Sequence, residues 1–283
     1  MTIGAAGAAS AIAIAASPAV ASDSYEVVIS NNNYALASQS AALWDTDDDA
    51  TTCDTAGTGG YTPFYDGTLL NTSDAFDGGM VVTVASTDVE DPNDAATLEN
   101  NVLSTGAPAT AAGLKVNSTA RALQTAPAVQ YLVKFRNPTK DTITRTVTVS
   151  SDVGSDGSTV ILKDSSSNGA HSNADRWIVT ADNTAAPFGD PVVTHVFRGK
   201  NPKVTTDVTN AFATANACTA ETYKLRVPGG ESRYLLLFME MHQGKKGAVE
   251  DAKVYDSQKT MSGALKGISK SLYSKIVNWN LKK

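Results

Sequence analysis

The run Asp45-Thr46-Asp47-Asp48-Asp49 puts carboxylates at alternate positions, the arrangement with which a loop wraps oxygen ligands around a calcium ion. The helix–loop–helix calcium pattern does not fit, because its sixth position would be Ala50 where glycine is needed and its last Ala56 where a glutamate is needed. Asp45, Asp47 and Asp49 are therefore candidate ligands of a different calcium loop, set against the plainer reading of a solvated acidic turn. Asp88, Glu90, Asp91 and Asp94 form a second, weaker candidate cluster just after an expected strand. Neither cluster has a cation close in sequence. The first 114 residues hold fifteen carboxylates and no lysine or arginine, while the other 169 hold all 23 basic residues and fourteen acidic ones, so −15 and +9 sum to the net −6. Carboxylates so placed need compensation from a metal, from solvent screening, or from the lysines of the second part.

Other chemistry is sparse. His171, His195 and His242 show neither an H-E-x-x-H motif nor a Cys/His zinc spacing, and His195 reads as a polar or interface position on a sheet face. No nucleophile elbow, S-x-x-K pair or phosphate-binding glycine loop occurs, so the expectation is a protein that is not an enzyme. Asp175-Arg176-Trp177 fits a sugar-stacking platform or, more simply, a core tryptophan beside an arginine paired to an acid. Cys53 and Cys218 allow one intrachain disulfide, which would tie the acidic part to the basic part. Asn71-Thr72-Ser73 and Asn117-Ser118-Thr119 match the N-glycosylation triplet and mark expected surface loops.

The elements that must position these residues are mostly strands. Residues 25–30 and 80–85 read as strands, with a turn-rich stretch between them and a polar loop or short helix from Ser86 to Gly113. From Gln130 onward the pattern sharpens into strands at 129–136, 142–150, 158–163, 176–181, 192–198, 222–227 and 233–241, the all-β signature. Ile143, Val147 and Val149 share one parity and Thr144, Thr146 and Thr148 the other, which buries one face and wets the other. The turn Asp152–Gly157 reads as the loop of a hairpin into 159–162. Tyr234 to Met239 is apolar throughout, so it is expected to be a central strand covered on both faces. Met261, Leu265, Ile268, Leu272, Ile276 and Trp279 recur at helical spacing, predicting an amphipathic helix that covers it. Lys259, Lys266, Lys270 and Lys275 form its cationic, interface side.

Asn137-Pro138-Thr139, the segment 154–159, the segment 175–182, Asp190-Pro191, the segment 276–280 and Asp74-Ala75-Phe76-Asp77-Gly78 together resemble segments of a group of uncharacterised exported bacterial surface proteins with an immunoglobulin-like sandwich. That resemblance implies the fold and names no catalytic residue. Residues 1–22 carry no charge and end near an A-x-A triplet, Ala19-Val20-Ala21, so they read as a signal peptide or as a retained N-terminal donor strand. The expected organisation is a β-sandwich with long acidic loops over 23–247, of immunoglobulin-like or jelly-roll type, and a basic amphipathic helix over 248–283. The expected function is an exported structural subunit of a cell-surface layer or filament, its partner a second copy of itself. The alternatives are a calcium-assisted adhesion or glycan-binding module taking a surface polysaccharide, and a secreted hydrolase with a carboxylate pair. Nucleic acid and a transmembrane span are not expected.

Overall fold

The computed structural model describes residues 25–28, 34–37, 42–46, 53, 64, 66–70, 72, 74–89, 95–99, 101–212 and 217–283. Residues 1–22, with their signal-peptide or donor-strand reading, lie outside the described residues. Strands are numbered in chain order, and every pair is antiparallel. The larger sheet runs from β1 (Tyr25–Val28) through β7 (Ala95–Glu99), β8 (Val102–Thr105), β10 (Leu114–Ala122), β11 (Ala128–Arg136), β18 (Ser232–His242), β15 (Val192–Val196) and β14 (Trp177–Ala181) to β13 (Val160–Asp164). The short β9 (Ala109–Ala111) also pairs with β10. A second sheet has the order β16 (Thr206–Ala211), β17 (Ala217–Val227), β12 (Ile143–Val153), β5 (Phe76–Val84) and β6 (Thr87–Asp88). A small third sheet joins β2 (Tyr34–Ala37), β3 (Ala42–Thr46) and β4 (Asp66–Leu69).

The two main sheets form an all-β sandwich, and strand parity explains its layers. Along β18 the odd residues Leu235, Leu237, Met239 and Met241 meet Val147, Val149, Tyr223 and Leu225 of the second sheet in one core. The even residues Leu236 and Phe238 enter a second core, on the opposite face of the larger sheet, with Trp177, Val192 and Val196. The strand expected to be covered on both faces is so covered, because a period of two sends alternate side chains to opposite sides. Trp44, Phe64, Phe76 and Tyr131 close one part of the first core, with neighbouring ring centroids 5.9 to 6.5 Å apart.

Three local expectations are corrected. Ser86–Gly113 carries β6 to β9 in place of a surface loop or short helix. The turn after β12 does not close a hairpin: β12 is already paired on both edges, with β5 and β17, so the chain crosses to the other sheet and β13 pairs with β14. The stretch from Lys259 to Trp279 is not a continuous helix. The single α-helix among the described residues, α1 (Lys245–Ala252), precedes it, and short 3-10 turns at Lys253–Asp256, Thr260–Ser262 and Lys270–Leu272 follow. Gly267 explains the break. Its φ of +84° lies in the left-handed region, and a Cβ there would lie 2.7 Å from the Arg121 guanidinium. The apolar spacing was nonetheless informative, since Met261, Leu265, Ile276 and Trp279 are buried in the second core. We call residues 253–283 the strap.

Asn278 fixes the strap by acting as a substitute strand. Its Oδ1 accepts from Leu236 N at 2.9 Å, and its Nδ2 donates to Leu236 O at 2.7 Å and Phe197 O at 2.8 Å. Backbone bonds continue the pairing, from Tyr234 N to Lys275 O, Val277 N to Tyr234 O and Gly199 N to Asn278 O. Gly199 is required here because the Trp279 ring lies 2.3 Å from where its Cβ would stand.

Candidate functional site: an aspartate basin and a lysine strap

The turns at one end of β14 and β15 gather six carboxylates from four separate segments. Asp66 opens β4, and its Oδ1 accepts from Ala75 N at 3.0 Å. Asp74 sits in the following turn with φ +72°, a left-handed conformation that aspartate tolerates, and Asp77 lies in β5. Asp156, with φ +47°, comes from the β12–β13 crossing. Asp182 follows β14 and accepts from Gly189 N at 2.7 Å, and Asp190 precedes β15. The crossing reaches the β4–β5 turn because Gly154 has no side chain, a Cβ there falling 2.3 Å from Asp74 O.

The shifts in proton affinity show that these groups feel one another. Burial, then the charges of Asp182, Asp74, Asp156 and Asp66, push the Asp190 carboxyl up to about 6. Asp74 is raised by burial and then by Asp77, Asp66 and Asp156, and Asp77 by burial and then by Asp156 and Asp66. The expected calcium residue Asp45 joins this region through the backbone, since β3 and β4 pair Asp45 with Asp66. Asp47 and Asp49 lie outside the described residues. In the weaker cluster Asp88 is half-buried at the end of β6, and Glu90, Asp91 and Asp94 lie outside the described residues.

The expected cationic residues Lys259, Lys266, Lys270 and Lys275 are all exposed on the strap. Lys259 and Lys270 join Lys282, Lys283, Gln258 and Tyr273 around an open concavity. Lys203 adds a cation beside it, donating to the carbonyls of Tyr273 at 2.9 Å and Ile276 at 2.9 Å. Burial, and then the charges of Lys282 and Arg233, lower the proton affinity of Lys203. The strap attaches where β15 ends, through Gly199 and Phe197, whereas Asp190 lies where β15 begins. Asp182 likewise follows the far end of β14, whose near end meets the strap through the Trp177 Nε1 to Asp256 Oδ1 bond at 3.1 Å. The basin and the strap thus lie at opposite ends of the same two strands.

Other expectations resolve as follows. Cys53 and Cys218 form the disulfide, with Cα atoms 5.3 Å apart. Beside it, on the outer face of the second sheet, Thr83, Ser86, Thr148, Ser150, Thr209 and Asn210 line a cavity of about 290 Å³ that offers polar groups without charge. Trp177 is buried and Arg176 pairs with Asp256, so the core-anchor reading holds and no indole is presented to a sugar. Asn117 lies within β10, opposite Lys134, so that triplet is not in a loop, and Asn71 lies outside the described residues. His195 is fully buried between the sheets, and burial lowers it to about 3. Burial takes His171, stacked on Phe197 with centroids 5.0 Å apart, down to about 4. Near them Arg198 Nε stands 2.6 Å from Glu221 Oε1. Burial pushes the Glu221 carboxyl up to about 8 against the attraction of Arg198.

Sequence reading missed the basin. Five of its six aspartates stand inside the short segments singled out in the sequence, four of them at turns beside strands and Asp77 within β5. That shared position was the available signal, and only the topology brings the segments together.

No family model and no curated protein matches the chain. Among solved structures it is similar to a protein from the human microbiome assigned as a kojibiose phosphorylase, at 10% identity over 81% of this chain and 34% of that one, with a TM-score of 0.43. It is also similar to a mutant of the heparan sulfate lyase HepC from Pedobacter heparinus, at 7% identity over 72% of this chain and 33% of that one, with a TM-score of 0.35. The chain spans about a third of the length of both.

Proposed function

We propose that the protein is an exported structural subunit that assembles head to tail, the aspartate basin of one copy receiving the lysine strap of the next. The observation that carries this reading is the placement of the two poles at opposite ends of β14 and β15, where they cannot neutralise each other within one molecule. A contact between two different patches propagates into chains unless its rotation closes a ring. Lysine is suited to the strap side as a compact, mobile point charge that needs no fixed fork geometry. The disulfide fits an oxidising compartment outside the cytoplasm.

The basin also supports a second reading, a calcium-assisted binding module. Its carboxylates are spread more widely than the two compact ligand sets among the described residues, whose ligand atoms all lie within 4.8 Å of one another. That width suits several ammonium groups better than one tightly held ion, which favours assembly.

Sedimentation velocity on the full chain at about 20 mM and about 500 mM salt tests the proposal, because a Debye length that falls several-fold screens such contacts. The expected result is concentration-dependent association at low salt, lost at high salt and lost in a Lys270→Glu, Lys282→Glu variant. A protein that stays monomeric at low salt overturns it. Monomers whose melting temperature rises with calcium would establish the binding-module reading instead.

A further inference from the structure

On the face of the larger sheet covered by α1, where the end of β18 pairs with the start of β15, a third charged group has no part in the proposed assembly. Glu240 and His242 lie two apart on β18, so both point to the face covered by α1, and Asp251 comes from the last turn of that helix. Glu240 is 2% exposed and His242 7%. One ligand atom from each of the three residues lies within 4.8 Å of the other two.

We propose that Glu240, His242 and Asp251 bind a divalent transition metal, with zinc the ion that best matches the donor set. A hydrogen-bonded chain without metal is the plainer account, and it is met only in part, by a long hydrogen bond between His242 Nε2 and Glu240 Oε2. His242 Nε2 stands 3.3 Å from Glu240 Oε2, and Nδ1 stands 3.9 Å from Asp251 Oδ2. Charge-assisted N–H to carboxylate bonds are drawn in to about 2.7–2.9 Å, so the Glu240 bond is long and Asp251 lies beyond hydrogen-bond reach. Zinc bonds of about 2.0–2.1 Å in a tetrahedron put neighbouring ligand atoms about 3.3 Å apart, the spacing between Nε2 and Oε2.

The surroundings have the features of a metal site. Tyr255 donates its hydroxyl to the other oxygen of Glu240, Oε1, at 2.8 Å, which fixes the carboxylate in the manner of an outer-shell partner. The carboxylates of Glu240 and Asp251 together carry a charge that a divalent ion would cancel. The Asp251 side chain is 45% exposed, giving an ion a route in and leaving the remaining coordination to water. One nitrogen with two carboxylates favours zinc over calcium, which takes six or more oxygens. Because Asp251 is on α1 and the other two ligands are on β18, the metal would clamp the helix to the sheet.

The experiment is isothermal titration of chelator-stripped full-length protein with zinc chloride and, separately, with calcium chloride, followed by cobalt absorption spectroscopy. Expected results are one equivalent of zinc, a raised melting temperature, visible cobalt bands of a low-coordinate N/O site, and no competition from calcium. Asp251→Asn and Glu240→Gln should each weaken zinc binding about tenfold or more. Asp251→Asn is half-exposed, so circular dichroism should show it folded without metal. Absence of saturable zinc uptake overturns the proposal, as does undiminished binding by folded Asp251→Asn, or calcium bound in preference to zinc.

Discussion

Replacing Arg198 by Met removes the only partner charge within 4 Å of Glu221 among the described residues, and the cost should depend steeply on pH. The pair is 2.6 Å apart with side chains 8% and 0% exposed. At an effective dielectric of about 20, two full charges at that distance attract by about 6 kcal/mol, a ceiling from which desolvation subtracts. Glu221 titrates near 8 in the fold against 4.5 for the free side chain. A carboxyl raised in the fold contributes stability that is fully present below 4.5 and is lost as pH rises to about 8, because in that window the folded state holds a proton that the unfolded state has released. Near pH 6 the carboxyl is protonated, so Arg198→Met removes only hydrogen bonding, about 1–3 kcal/mol. Above 8 the wild type holds an ion pair, whereas the variant must keep Glu221 protonated or bury a lone charge. The deficit should therefore grow by about 1.4 kcal/mol per pH unit towards the 3–5 kcal/mol typical of a broken buried pair. Urea denaturation of both proteins at about pH 6, 7.5 and 9 measures this, with Arg198→Met, Glu221→Leu recovering most of the loss. A deficit that is flat with pH, or larger on the acid side, refutes the reasoning.

Four further outcomes are expected. Asn278→Ala strands Leu236 N and frees two carbonyl contacts, and should cost about 3 kcal/mol in urea denaturation, with less than about 1 kcal/mol contradicting the substitute-strand role. Reducing the disulfide, which spans 165 residues, should cost about 5 kcal/mol by chain entropy, read from urea midpoints with and without reductant. Gly154→Ala drives a methyl into Asp74 O and should lower the melting temperature while shifting the Asp190 titration followed by carboxyl NMR. Asp190→Asn should make the monomer more stable near neutrality and its association weaker. The Asp190 carboxyl, raised to about 6, stabilises the fold below 3.8 and loses that contribution through about 6, while lysine docking requires it ionised. Association by sedimentation should accordingly be weaker at pH 5 than at pH 7.5.

Strands from Ala128 onward, β16 excepted, were legible because apolar residues alternate with Thr and Lys, as in β12, or run unbroken where both faces are covered, as in β18. β10 was not legible: its buried positions are Leu114, Val116, Ser118, Ala120 and Ala122, too small and too polar to stand out from the alternating exposed residues. The strap was legible as packing and not as conformation. Helical spacing marks which residues are buried, but Gly267 and the capping Ser269 decide the backbone, and tertiary bonds to β18 hold it. Of the two candidate ligands among the described residues, Asp45 and Asp88, Asp45 pairs by backbone with Asp66 of the gathered acids; a run of aspartates is visible in sequence, and a basin built from four distant segments is not. The Glu240, His242 and Asp251 set was hidden for a related reason, its two strand ligands being two apart and its third on a following helix.

The strap also sets the order in which the molecule can become complete. Leu236 and Phe238 lie in the middle of the larger sheet, yet the groups that cover them, from Tyr255 to Trp279, are made after every strand. A chain emerging from a ribosome therefore leaves the apolar face of β14, β15 and β18 uncovered until about forty residues beyond β18 have appeared. Until then the second core stays open, so the face built by β14, β15 and β18 is the last part of the fold to be covered.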